Sequence, residues 1–138
     1  MRALGELIRV ARPGAVVALS VRGYLAVLRT ILRVDSKALI DGTLEQLVAR
    51  GNAPVGGVAC HFYRAGELKA LAEAQGLETI LMAGGEGLSD GLPEATNAIF
   101  EEPEKWEVWT QVAIETATDP TVVDMSGYML YLGRKQRR

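Results

Sequence analysis

The alternation of apolar and polar positions cuts the chain into short, well-punctuated segments. Residues 2–11, RALGELIRVA, place Leu4, Leu7, Ile8 and Ala11 at helical spacing, and Pro13-Gly14 ends that helix. Residues 15–20, AVVALS, form an unbroken apolar run. A strand covered on both faces has this pattern, as in a parallel sheet with helices on each side. Helix, Pro-Gly turn and buried strand together make one α-to-β step of an α/β fold. Residues 23–33 put Tyr24, Leu25, Leu28, Ile31 and Leu32 on one stripe, which predicts a second amphipathic helix. Thr43 with Gln46 reads as a capping box for a helix over 44–50, closed by Gly51. Residues 51–60, with three glycines and a proline, read as a loop.

The second half repeats this logic. Leu68, Leu71 and Ala72 share a face of a helix that begins after His61-Phe62-Tyr63-Arg64 and stops at Gly76. Residues 77–83, LETILMA, follow as a strand, and glycine-punctuated 84–93 reads as irregular. Pro103 opens a helix running to about Thr116, with Trp106, Trp109 and Ala113 expected to face the core. Thr118-Asp119-Pro120 reads as a turn, and 127–133, GYMLYLG, as the last strand. The pattern predicts a lopsided α/β layer of about three strands with flanking helices. Its most apolar strand, 15–20, is expected at the centre.

Composition narrows the picture. The chain has 138 residues, 49% hydrophobic and 23% charged, which fits one globular domain over 1–138. Fifteen basic and 17 acidic side chains leave a net charge of −2. That argues against a nucleic-acid partner held by a general basic surface. One cysteine, Cys60, cannot form an internal disulfide, and one histidine, His61, cannot build a zinc site alone. Gly14 to Leu32 is the longest apolar stretch, but Arg22 and Arg29 interrupt it. No membrane span is therefore expected. The N-terminal stretch, with Glu6 and Arg9, lacks the pattern of a secretory signal, so the expectation is a cytoplasmic chain.

Three blocks together resemble one family. ELIRVARPGAVVALSV looks like the helix, Pro-Gly turn and strand that open the second half of Rossmann-like S-adenosylmethionine-dependent methyltransferases. HFYRAGELKALAEAQGLETI is similar to the family's approach into a Glu-Leu helix that ends in glycine before a strand. ATDPTVVDMSGYMLYLGRK looks like its C-terminal end, where an Asp-Pro turn and a Ser-Gly precede a closing antiparallel strand. The resemblance implies a partial Rossmann-like methyltransferase sheet whose last strand is antiparallel. It also implies a parent enzyme that moves a methyl group from S-adenosylmethionine to a small-molecule acceptor. The family's glycine-rich turn after a first strand, where backbone approaches the nucleotide, has no counterpart here. Gly84-Gly85-Glu86-Gly87 follows a strand with no helix after it, and Gly56-Gly57 follows no strand. Both read as ordinary loop glycines. The resemblance therefore implies a C-terminal, acceptor-side half that does not bind the cofactor by itself. Proteolysis or truncation of a longer protein, a gene model begun at an internal methionine, and a short protein that folds by self-association all account for the missing half. Each leaves strand 15–20 with an open apolar edge, so a homodimer or higher homo-oligomer through that edge is expected.

Ligands in open α/β sheets bind beyond the carboxyl ends of the strands, which puts Ser20, Arg22 and Tyr24 at the rim of an acceptor site. The plainer reading makes Tyr24 the first core residue of its helix and Arg22 a solvated side chain. The resemblance puts His61 and Tyr63 near the same acceptor, where a histidine can serve as general base. The plainer reading bonds the His61 ring to a backbone carbonyl. Cys60 beside His61 lacks a third, orienting group, so a nucleophile is not expected. Glu101, Glu102, Glu104 and Glu107 suit the positive end of the Pro103 helix, and the RKQRR tail reads as a solvated terminus.

Overall fold

The computed structural model describes residues 2–34 and 36–136, apart from the Ser36 side chain. Helix α1, Arg2–Val10, turns at Pro13-Gly14 into strand β1, Val16–Arg22. Helix α2, Tyr24–Val34, leads through a short 3-10 turn to helix α3, Thr43–Arg50. Strands β2, Asn52–Val55, and β3, Val58–His61, form a hairpin, followed by helix α4, Ala65–Ala74, and strand β4, Leu77–Gly84. Helices α5, Pro93–Phe100, α6, Pro103–Thr116, and α7, Pro120–Met125, precede strand β5, Tyr128–Lys135.

The main sheet has three strands in the order β1-β5-β4, with β5 antiparallel to both neighbours. The last strand is thus antiparallel, as expected, but it is β5 and not β1 that lies at the centre. Nor is β1 buried on both faces. Val17 is buried while Val16, Ala18 and Ser20 face solvent, the alternation of a half-covered antiparallel strand. An apolar run reports burial only when polar residues are needed outside, and on this edge valine and alanine stand in their place. The central position of β5 follows from its side chains. Met129 and Tyr131 are fully buried, and the Tyr131 ring lies over Gly133, where a Cβ would strike it at 2.7 Å. The Tyr131 hydroxyl meets Thr79 Oγ1 at 3.0 Å, so its polar tip is satisfied inside the core.

Two cores result. The first gathers Leu4 and Ile8 of α1, Val17, Leu68 and Ala72 of α4, Leu77, Val123, Met129 and Tyr131 around the sheet. The second gathers Val27 and Ile31 of α2, Ala38, Leu47 of α3, Ala53 and Phe62 around the hairpin. They are joined where Tyr63 N–H donates to Arg22 O (2.9 Å) and Tyr24 N–H donates to Tyr63 O (2.8 Å).

Other expectations shift in detail. Residues 51–60 are not a loop but the hairpin β2-β3. Gly56 and Gly57 both have positive φ, 55° and 81°, as a two-residue hairpin turn of matching twist requires. The capping box at Thr43 does not form. Gly42 is the N-cap of α3, and the Thr43 amide instead donates to Asp41 Oδ1 at 2.9 Å. Residues 93–100 and 120–125 are helical, and 84–93 includes a 3-10 turn at Gly87–Ser89. Trp106, Trp109 and Ala113 do not enter the core. They are half-buried, and α6 has no buried residue at all.

Candidate functional site

Because β1 and β4 are each antiparallel to β5, they run in the same direction. Their carboxyl ends and the start of β5 share one end of the sheet, where Arg22 pairs with Tyr128 and Gly84 with Met129. Ser126, fully buried, is packed into this end and donates from Oγ to Val122 O (2.6 Å). Only glycine fits beside it. A Cβ at Gly23 would collide with the Ser126 carbonyl, and one at Gly84 with its hydroxyl. The chain past β4 then turns outward through Gly85, Glu86 and Gly87.

A cleft of about 650 Å³ opens over this end. Its floor is the 84–91 segment, and its far wall is α6, which contributes Trp106, Trp109, Thr110 and Ala113. Trp109 Nε1–H donates to Ser89 Oγ at 2.9 Å, which ties the wall to the floor. The Phe100 and Trp106 rings meet edge to face at 5.1 Å, closing α5 onto α6. The Thr110 hydroxyl oxygen is buried and finds no hydrogen-bond partner among the described residues.

Glu86 and Asp90 stand between this cleft and a second one of about 280 Å³, on whose wall Arg22, Thr30 and Tyr128 also lie. Asp90 is ion-paired with Arg29, whose guanidinium also donates to Met125 O at 3.0 Å. Hydrogen bonding to Asp90, then burial and the Asp90 charge, push the Glu86 carboxyl above its usual value, against the opposing pull of Arg22 and Arg29. The Glu86 carboxyl thus holds its proton more readily than an isolated glutamate does. Arg33 donates to Gly91 O at 3.1 Å and closes the ring of charges.

The residues expected from sequence divide between this end of the sheet and the hairpin. Ser20 is exposed on the outer side of edge strand β1, two residues short of the site. Arg22 is at the site, its guanidinium 5.2 Å from the Tyr128 ring and 5.9 Å from the Phe62 ring. Tyr24 packs against the second core under the Arg64 guanidinium, 4.7 Å from its ring, and lines neither cleft. His61 lies on β3. Its Nδ1 is 2.7 Å from Asn52 Oδ1 and its Nε2 is 2.7 Å from Glu67 Oε1. Both ring nitrogens are engaged within the chain, and His61 lines neither cleft. The Tyr63 ring stands edge to face with His61 at 4.5 Å, and burial first, then the Glu67 charge, raise its phenol above the usual range. His61 and Tyr63 are therefore neighbours of each other and apart from the acid pair.

Sequence reasoning passed over Glu86 and Asp90. The signal that finds them is the same rule that singled out Arg22, namely the carboxyl end of a strand, applied to strand 77–83 as well as to 15–20. Among the described residues, no three His, Cys, Asp or Glu side chains converge as a metal site, and no helix is long and apolar enough to cross a membrane. A scan against protein-family models finds no match, and a search of curated proteins finds none either.

Proposed function

We propose that the chain is the acceptor-side portion of a Rossmann-like methyltransferase that uses S-adenosylmethionine and a small-molecule acceptor in the cytoplasm. The observation that carries this reading is the pair of strands β1 and β4. They run parallel to each other, split by an antiparallel last strand, with clefts at their shared carboxyl end. Ligands of open α/β sheets bind at such ends. In this reading the donor is held by strands beyond the free edge of β1, and the residues described above orient the acceptor. Alignment of acceptor and sulfonium methyl supplies most of the rate in such a displacement. Arg22 remains an acceptor-side residue, and Glu86 and Asp90 join it.

The test is the coding sequence in frame upstream of Met1, or in the adjoining gene. A strand, a glycine-rich turn and a helix are expected there. The joined polypeptide is expected to bind S-adenosylmethionine saturably by calorimetry, and the present chain alone is not. Saturable binding by this chain alone, or upstream sequence of unrelated pattern, overturns the reading.

One observation favours a second reading, a small α/β module stabilised by self-association. Among the described residues β1 pairs as a strand only with β5; the Tyr63 N–H meets its other edge at Arg22, and the rest of that edge carries no lysine, proline or bulge of the kind that protects edges. Val16 is 51% exposed on it. Under this reading a second copy covers the edge. Sedimentation velocity at micromolar concentration is expected to give a dimer, and a monomer at all concentrations rules it out.

A further inference from the structure

We propose that the α6-walled cleft binds an uncharged, flat aromatic compound carrying a hydroxyl, with its ring against Trp106 and Trp109 and its hydroxyl toward Glu86 and Asp90. The inference rests on the methyltransferase reading only in calling that compound the methyl acceptor.

The walls decide the shape of the ligand. Two indoles three residues apart on one helix face a floor containing Gly84, Gly85 and Gly87, so a planar ring can lie between aromatic side chains and bare backbone. The volume of about 650 Å³ lies within the range of small-molecule pockets. These same indoles make little sense as core, because α6 buries nothing.

The charges decide the polarity. Asp90 is neutralised by Arg29, Arg33 is turned to the Gly91 carbonyl, and Arg22 lies over the Tyr128 ring. A ligand carboxylate entering the cleft would meet Glu86 and Asp90. A ligand ammonium would face Arg33 on the cleft wall and Arg29 behind Asp90. A neutral hydroxyl meets neither penalty, since it can donate to a carboxylate oxygen of Glu86 or Asp90, both of which line the cleft, and accept from a neighbouring donor. The Thr110 hydroxyl, buried on the same wall without a partner, marks a second polar contact that the chain itself leaves unmade.

The chain has two tryptophans, and both line the cleft, so their indole N–H signals report on it directly. The ¹⁵N-labelled chain at pH 7 is titrated with 2-naphthol, 2-naphthoate and 2-(aminomethyl)naphthalene. We expect 2-naphthol to shift both indole signals saturably, and the two charged probes to bind at least about tenfold more weakly, the factor that one uncompensated charge contact costs. The Asp90→Asn variant frees Arg29 and is expected to strengthen naphthoate binding by roughly tenfold. Indole signals unmoved by 2-naphthol up to its solubility, or charged probes that bind as well as it does, overturn the proposal. A folded Asp90→Asn chain with no gain for naphthoate does the same to the charge argument. Should that variant not fold, the panel on the unaltered chain decides alone. No donor is present in these titrations, so their failure leaves the methyltransferase reading intact, and failure of the upstream-sequence test leaves the ligand class intact.

Discussion

The sheet and the α5–α6 arm both carry large apolar and aromatic side chains and put them to opposite uses. Strand β5 sinks Met129 and Tyr131 completely, and α4 behind it sinks Leu68 and Ala72. The 14 residues of α6 sink none, and Val108 and Ile114 stand more than 60% exposed. Burial of apolar area is the main stabilising term in a fold. The arm therefore adds little to stability, and its order depends on a few contacts: the Trp109–Ser89 hydrogen bond, the Phe100–Trp106 pair and the loop beneath. A region kept at low stability next to a cleft is where proteins place parts that respond to ligands. The comparison teaches that the tryptophans are spent on recognition and the tyrosine on folding.

Tyr131→Ala breaks this contrast most severely. It removes the largest fully buried side chain and the partner of Thr79, and is expected to cost about 3–5 kcal/mol in urea denaturation. A loss under 1 kcal/mol would move the core away from β5. Gly23→Ala comes next. The new methyl group meets the backbone of buried Ser126, which cannot swing aside, and the expected loss is about 1–3 kcal/mol. Loss of the cleft's ligand response should accompany it, because Ser126 fixes the approach of α7 to the carboxyl ends of the strands.

How much of this was legible from sequence depends on what periodicity encodes. The helices over 2–11, 23–33 and 65–76 and the three main strands were readable, because each presents an apolar stripe or run closed by glycine or proline. Strand order was not, and the antiparallel run of the last strand was expected from the family resemblance and not from the hydropathy pattern. A run such as AVVALS states that apolar side chains are affordable there, but not which strand lies alongside. The central place of β5 depends on Gly133 making room for the Tyr131 ring, a contact along one strand that no hydropathy pattern registers. The 51–60 hairpin was obscured by its own turn chemistry, since Gly56-Gly57 signals both a loop and a tight β-turn. The i, i+3 spacing of Trp106 and Trp109 places them on one face but does not say whether that face meets core or cleft. Of the site, Arg22 was legible and Glu86 with Asp90 were not, because their pairing arises from a 3-10 turn inside a segment that reads as irregular.

Phe100→Ala sharpens the comparison from the arm's side. Phe100 is 60% exposed, and its one aromatic partner is Trp106. Such a pair contributes about 0.5–1.5 kcal/mol, so global stability should fall by no more than that. Amide exchange across α5 and α6 should nonetheless accelerate by tenfold or so, the factor matching about 1.4 kcal/mol, while exchange in β5 stays unchanged. Equal acceleration in both regions would show that arm and sheet open as one unit.

The smallest effect is a change of slope at the boundary of the two regions. Glu86 has a raised carboxyl pKa in the folded chain, chiefly through its hydrogen bond to Asp90. The folded state therefore binds the proton more tightly than the unfolded state does. The stabilisation this provides is complete below the ordinary glutamate value of 4.5 and is lost as pH rises through the higher folded value. Glu86→Gln keeps a hydrogen-bond donor toward Asp90 and cannot ionise. Its urea midpoint, compared with that of the unaltered chain, should gain steadily as pH rises from 4.5 toward neutrality, with no relative gain further down. Glu86 is exposed enough for solvent to screen the interaction, so the gain should be small and should shrink in high salt. A relative gain that grows as pH falls would mean that the Arg22 and Arg29 charges, not Asp90, govern Glu86. Glu86 and Asp90 would then be two carboxylates held by the flanking arginines, and the hydrogen bond between them would not set the Glu86 titration.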